Sequence, residues 1–144
     1  MNGDDLIEMG PIDYVLVEWP GRQPTGEALP HLVDLVDRGL IRIIDLAFIT
    51  KGEDGSVAMV EIADLGDEVA VFEGVSSGLL HDDDIEQAGE ALEPGTSAAL
   101  LVYENAWAAP FAGAVRRSGG QLVASGRIPA EDFLAALDAA EATA

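Results

Sequence analysis

The stretch from His81 to Trp107, HDDDIEQAGEALEPGTSAALLVYENAW, decides how the chain is read. Three consecutive acids, Asp82, Asp83 and Asp84, open a helix, because carboxylates at a helix N-terminus face the positive end of its dipole. The helix is expected from about Asp83 to Ala91 and stops at Pro94-Gly95, a pair that punctuates the chain as a turn. Ala98 to Tyr103 then reads as an apolar strand, and Asn105 starts a further helix. Helix, turn, strand and helix in one unbroken run place helices beside a sheet.

Upstream, Ile12 to Trp19 (IDYVLVEW) is a strand, β-branched and aromatic, ended by Pro20-Gly21. Between about Glu27 and Arg38, Leu29, Leu32, Val33 and Val36 recur at helical spacing. Pro30 predicts that the regular part starts late, and Gly39 that it ends there. Leu40 to Lys51 and Ser56 to Ile62 are strands joined by Gly52-Glu53-Asp54-Gly55, a short polar hairpin turn. From Ala63 to Leu80 no period dominates. Downstream, a helix from about Trp107 to Arg117 carries Pro110 in its first turn and Arg116 and Arg117 in its last. Gly119-Gly120 close it, Gln121 to Ile128 reads as the last strand, and Pro129 opens a terminal helix with Phe133, Leu134 and Leu137 in a stripe.

The order β-α-β-β, helical insert, β-α-β and terminal helix predicts an α+β ferredoxin-like sandwich. About five mainly antiparallel strands are expected, with the helices packed on one face, Ile12–Trp19 and Ala98–Tyr103 at the centre, and a hairpin strand at the edge. The 144 residues are read as a single domain, with residues 1–10 a disordered tail and residues 63–95 a helical insert. A chain of this length buries roughly two-thirds of its unfolded surface without metals or disulfides, and the absence of cysteine rules out thiolate chemistry.

Charge separates the function classes. There are 27 acids against 7 bases, a net charge of −20, so no broad basic surface exists to displace phosphate counterions, and nucleic acid is excluded as a partner. Anionic lipid surfaces are disfavoured for the same reason, and no apolar run reaches the ~18–20 residues of a membrane helix. Met1 to Gly10 is acidic and lacks a signal peptide's positive start. A cytoplasmic protein follows, kept soluble by its charge and open to a basic protein partner.

Three motifs invite chemistry and none carries it. Gly74-Val75-Ser76-Ser77-Gly78 has the G-x-S-x-G form of a nucleophile elbow with His81 nearby, but the large sheet that presents such an elbow does not fit, and a Gly/Ser loop explains the residues. His81, Asp82, Asp83, Asp84 and Glu86 could gather a hard cation. Consecutive residues at a helix start point apart, however, and Asp83 with Glu86 three residues on reads as a capping box. Lys51 beside the Glu53-Asp54-Gly55 turn lacks the glycine-rich loop of a phosphate site. No carboxylate pair stands out among the acids. Catalytic, cofactor-binding and metal-binding residues are therefore assigned to none.

DRGLIRIIDLAFITKGEDGSV, ALEPGTSAALLVYENAWAAPF and RRSGGQLVASGRIP together resemble an uncharacterised bacterial domain-of-unknown-function family of short acidic proteins. That family is similar to a second uncharacterised one that shares the acidic helix ending in EPGTSA and carries a glycine-rich apolar insert. Here the corresponding segment, Ala63 to Leu80, is short and too polar to enter a membrane. The resemblance implies no activity, cofactor or site residue.

Two functions are expected in turn. The first is a non-enzymatic oligomeric interaction or accessory module, serving a stress response or a larger assembly. The second is a small-molecule-binding protein or enzyme using carboxylates in a sheet-side pocket. The first rests on strands that read as apolar on both faces, since a sheet covered on one side only should be polar on the other. Tyr14, Leu16, Glu18, Arg42, Ile44, Leu46 and Phe48 are expected to form the open face, an interface for a homodimer or higher homo-oligomer.

Overall fold

The computed structural model describes residues 9–21, 27–60 and 80–143. Strand β1 runs Ile12–Pro20, helix α1 Leu29–Asp37, β2 Arg42–Lys51 and β3 Val57–Val60. Helix α2 is Asp82–Glu90 and β4 is Thr96–Glu104. A 3-10 turn at Ala106–Ala108 leads into α3, Ala109–Arg117, and α4 spans Ala130–Thr143. The prolines at 30 and 110 fall in the first turns of α1 and α3, where a missing N–H costs nothing. The β2–β3 turn is closed by Gly52 N–H donating to Ser56 O (2.8 Å) and by Ser56 N–H donating to Asp54 Oδ1 (3.0 Å). Gly55 sits there at φ 86°, a conformation a side chain would resist.

The four strands form one antiparallel sheet in the order β1-β4-β2-β3. Each β-α-β crossover is split: β4 lies between β1 and β2, and β2 lies between β3 and β4. Alternate residues of β2 and β4 face opposite sides, and each side has its own helix. On one face, Ala47, Ile49, Ala98 and Leu100 pack with Ile85 and Leu92 from α2 and the turn that follows it. On the other, Leu46, Phe48, Ile43 and Leu101 meet Leu29, Leu32 and Val33 of α1. The first of these two layers is the drier, because small residues on the strands let α2 approach. Gly89 lies directly against Val57, whose Cγ2 would be 2.5 Å from any Cβ placed there.

Lys51 secures the same helix from its far end. Its Nζ donates to the carbonyls of Gly89 and Leu92, each at 3.0 Å, and so satisfies oxygens that the end of a helix leaves without partners.

Several expectations are corrected. Helices lie on both faces of the sheet, not on one, and β1 is an edge strand while β2 and β4 are central. Four strands, not five, are present among the described residues. Gln121 to Ile128, expected as the fifth strand, has no regular structure, pairs with no described strand and is exposed throughout. Within the expected insert, the described part is no insertion: α2 is the crossover helix between β3 and β4. Residues 61–79 lie outside the described residues. Of the expected disordered tail, residues 1–8 are likewise outside them, but Gly10 is buried and anchored.

Candidate interaction surface

The outer strand β1 is pinned at its start by residues from much later in the chain. Glu104, the last residue of β4, is buried and accepts from Gly10 N–H (2.8 Å) and from Arg42 Nε (2.8 Å). Burial pushes its carboxyl up, but the Gly10 amide and the Arg42 guanidinium outweigh that and hold it below the usual carboxylate range. Asn105 donates its backbone N–H to Pro11 O (2.7 Å) and its side-chain amide to Pro11 O (3.0 Å) and Asp13 Oδ2 (2.9 Å). Arg116 of α3 donates to Met9 O. Gly10 is obligatory at this crossing, since a Cβ would collide with the Asn105 carbonyl.

This clamp anchors the start of β1, an edge strand whose outer side has no neighbouring strand among the described residues. The strand is unusually apolar for such a place. Tyr14 is 73% exposed, Ile12 49% and Val17 46%, while Asp13 and Glu18 supply its only charges. A second uncovered apolar set lies beyond α3. Leu122 and Val123 are 81% and 94% exposed, Ile128 is 75% exposed, and the stripe of Phe133, Leu134 and Leu137 on α4 faces solvent. Isolated exposed apolar side chains are ordinary, but a run of this length on a monomer is a marker of contact.

The seven residues expected to share an open face are divided between the two faces. Tyr14, Leu16 and Glu18 pair with Val102, Leu100 and Ala98, and Arg42 pairs with Glu104, all on the α2 side. Leu46 and Phe48 pair with Leu101 and Ala99 on the α1 side. The cause is a bulge between Ile43 and Asp45, with Ile44 as the extra residue; one such residue moves everything beyond it to the opposite side. Leu46 is buried beneath α1 and Leu16 packs against the α2-side core. The two-sided apolarity of the central strands is thus satisfied within the chain by α1 and α2. Of the seven, Tyr14, Glu18 and Arg42 are exposed.

The other candidates resolve as local structure where they are described. The acidic helix start is a cap set two residues earlier than expected. His81 is the N-cap, and the Asp84 carboxylate reaches back to accept from the His81 N–H at 2.9 Å. A shallow depression of about 360 Å³ there is lined by Leu80, His81, Asp82 and Asp83, consecutive residues that fan around the helix start. Buried Asp45 accepts from Leu46 N–H (2.9 Å) and Leu80 N–H (3.3 Å). Among the described residues no group of three or more His, Cys, Asp or Glu is placed to hold a metal ion. No described helix is long and apolar enough to cross a membrane. The Gly74–Gly78 motif with Ser76 falls outside the described residues.

Sequence reasoning missed the Glu104–Gly10–Arg42 clamp and the helix-capping role of Lys51. The clamp had one visible trace, a lone acid closing an otherwise apolar strand. Lys51 had none, because its acceptors lie 38 and 41 residues away in sequence.

Comparison with known proteins agrees with the resemblance. The chain belongs to DUF6325, a family of unknown function, whose model matches residues 8–143. Neither the curated proteins nor the solved structures contain a significant match.

Proposed function

We propose that this DUF6325 member is a non-enzymatic, self-associating interaction module of the cytoplasm. One observation carries the reading: a clamped edge strand with exposed Tyr14, Ile12 and Val17. A strand left apolar at an edge is an aggregation hazard unless it has an intended partner, and rigid aromatic side chains are favoured anchors of interfaces. We read the two split crossovers as a two-sided variant of the ferredoxin-like plan, in which the helices occupy both faces and leave the edge of the sheet for contact. The described depression at the α2 start gives the small-molecule alternative no set of converging groups.

The test is the molar mass of the full chain by light scattering at ~100 μM, where a contact worth about 5–6 kcal/mol becomes visible. A dimer or higher oligomer is expected. Tyr14→Glu should shift it toward monomer, because it would bury an unpaired charge in the contact. Tyr14 is exposed in the single chain, so the folded monomer should survive the change. A wild type that stays monomeric at this concentration overturns the proposal.

A further inference from the structure

We propose that the carboxy-terminal arm, residues 119–143, docks on a second copy, where its segment Gln121–Ile128 adds as a strand along the free edge of β1. The inference rests on the self-association proposed above and names the surface that performs it. Three observations converge on this occupant.

The first is that two unsatisfied halves are present. Gln121–Ile128 is strand-like in composition, free of helix, turn and bend, and paired with no described strand, while the outer edge of β1 lacks a neighbour among the described residues. Such a segment gains main-chain hydrogen bonds by joining a sheet edge, the general mode of strand addition. The lengths agree. Eight arm residues span about 26 Å and the nine of β1 about 30 Å, at ~3.3 Å per residue.

The second observation is charge. Within the arm, Gln121–Ile128 carries Arg127 and no acid, and all four acids of the arm lie beyond it in α4. Strand β1 holds Asp13 and Glu18 and no base. Pairing β1 with another β1 would set acids against acids on molecules of net charge −20, whereas Gln121–Ile128 brings one base, Arg127, and no acid. The edge therefore discriminates: it repels a second edge and accepts an arm.

The third is continuity of the apolar surface. The stripe of Phe133, Leu134 and Leu137 begins five residues after Ile128 and is uncovered. An arm laid on β1 carries this stripe to the region of the partner's Tyr14, so both exposed sets are covered in one movement. Reciprocal exchange gives a closed twofold dimer, in which each copy lends an arm and receives one.

The chain contains no cysteine, so bridging is clean. One full-length chain carries Ala124→Cys and a tagged chain of different mass carries Val17→Cys; the two are mixed and treated with a short bismaleimide. The expected result is an inter-chain product of mixed mass, with Arg127→Glu in both chains weakening the dimer about tenfold, as two edge charge pairs are reversed. Raised salt should strengthen the dimer, because screening relieves the repulsion of two highly acidic bodies. A dimer that remains sensitive to Tyr14→Glu but gives no arm-to-β1 product overturns this inference and leaves the self-association reading intact. A chain carrying both cysteines that bridges within itself at ~1 μM, as a monomer, also overturns it, since the arm would then close on its own edge. A wild type that never dimerises overturns both.

Discussion

Replacing Lys51 by methionine tests the packing of α2 on the sheet. Methionine keeps most of the aliphatic stem and removes the ammonium group, whose two hydrogen bonds at 3.0 Å end on Gly89 O and Leu92 O. A hydrogen bond from a charged group contributes about 1.5–3 kcal/mol, and a cation at a helix C-terminus about 0.3–1 kcal/mol. Lys51 is only half-buried, so water can reach part of what is vacated, and the net loss should be about 2 kcal/mol. For a domain of this size that corresponds to a fall in Tm of about 4–8 °C. Urea unfolding followed by tryptophan fluorescence gives the free energy directly, and Lys51→Arg should recover at least half of it. Arg38→Met is the control, since it makes the same change in net charge. Its partner Asp34 lies 3.4 Å away with both side chains more than half exposed, and such pairs are worth no more than about 1 kcal/mol. If Lys51→Met is no more destabilising than Arg38→Met, the capping argument is wrong and the helix is held by apolar contact alone.

Two further perturbations probe the clamp and the cap. Glu104 titrates below its ordinary value in the folded chain, so its contribution is complete above the unfolded carboxylate pKa and is lost as pH falls through the lower folded one. The wild type should accordingly lose stability relative to Glu104→Gln across that acid window; urea midpoints that stay parallel from pH 6 down to pH 3 would contradict the clamp. In α2, Asp84→Ala should cost about 1 kcal/mol while Asp83→Ala costs a few tenths. Equal effects in thermal melts would move the cap back to the register expected from sequence.

The elements with clear punctuation were legible in the sequence. Pro30 and Gly39 bracket α1, Gly52–Gly55 makes the β2–β3 turn, and Pro94-Gly95 separates α2 from β4, each within two residues of the expected bound. What the sequence could not convey was which segments meet. The apolar residues on both sides of β2 and β4 were read as an uncovered face, yet α1 and α2 occupy opposite sides. Periodicity reports that a face is buried and not what buries it. The Ile44 bulge had no local marker, so a strictly alternating count carried Arg42 and Leu46 to the same side. Gln121–Ile128 has the composition of a strand, but composition does not supply a neighbour. The cap at His81 was displaced because three successive acids satisfy the same rule, and only Asp84 has the geometry to reach back.

The central position of β4 also bears on how the protein is born. β4 is the last of the described strands to be synthesised, and it is the one that joins β1 to β2. Until residue 104 has emerged, the β2–β3 hairpin is the only one of the described strand pairings that can be complete, while β1 waits as an apolar ribbon without its described partner. Sheet assembly is therefore a late, nearly all-or-none event, set by contacts of long sequence separation. Nascent chains in this condition are prone to associate through their exposed strands. Before Thr96 the sequence carries 22 acids and 4 bases, a net charge of −18, so nearly all of the protein's charge is in place before β4 exists. The acidity acts earliest as a spacer that keeps unfinished chains apart until the strand that completes the sheet arrives.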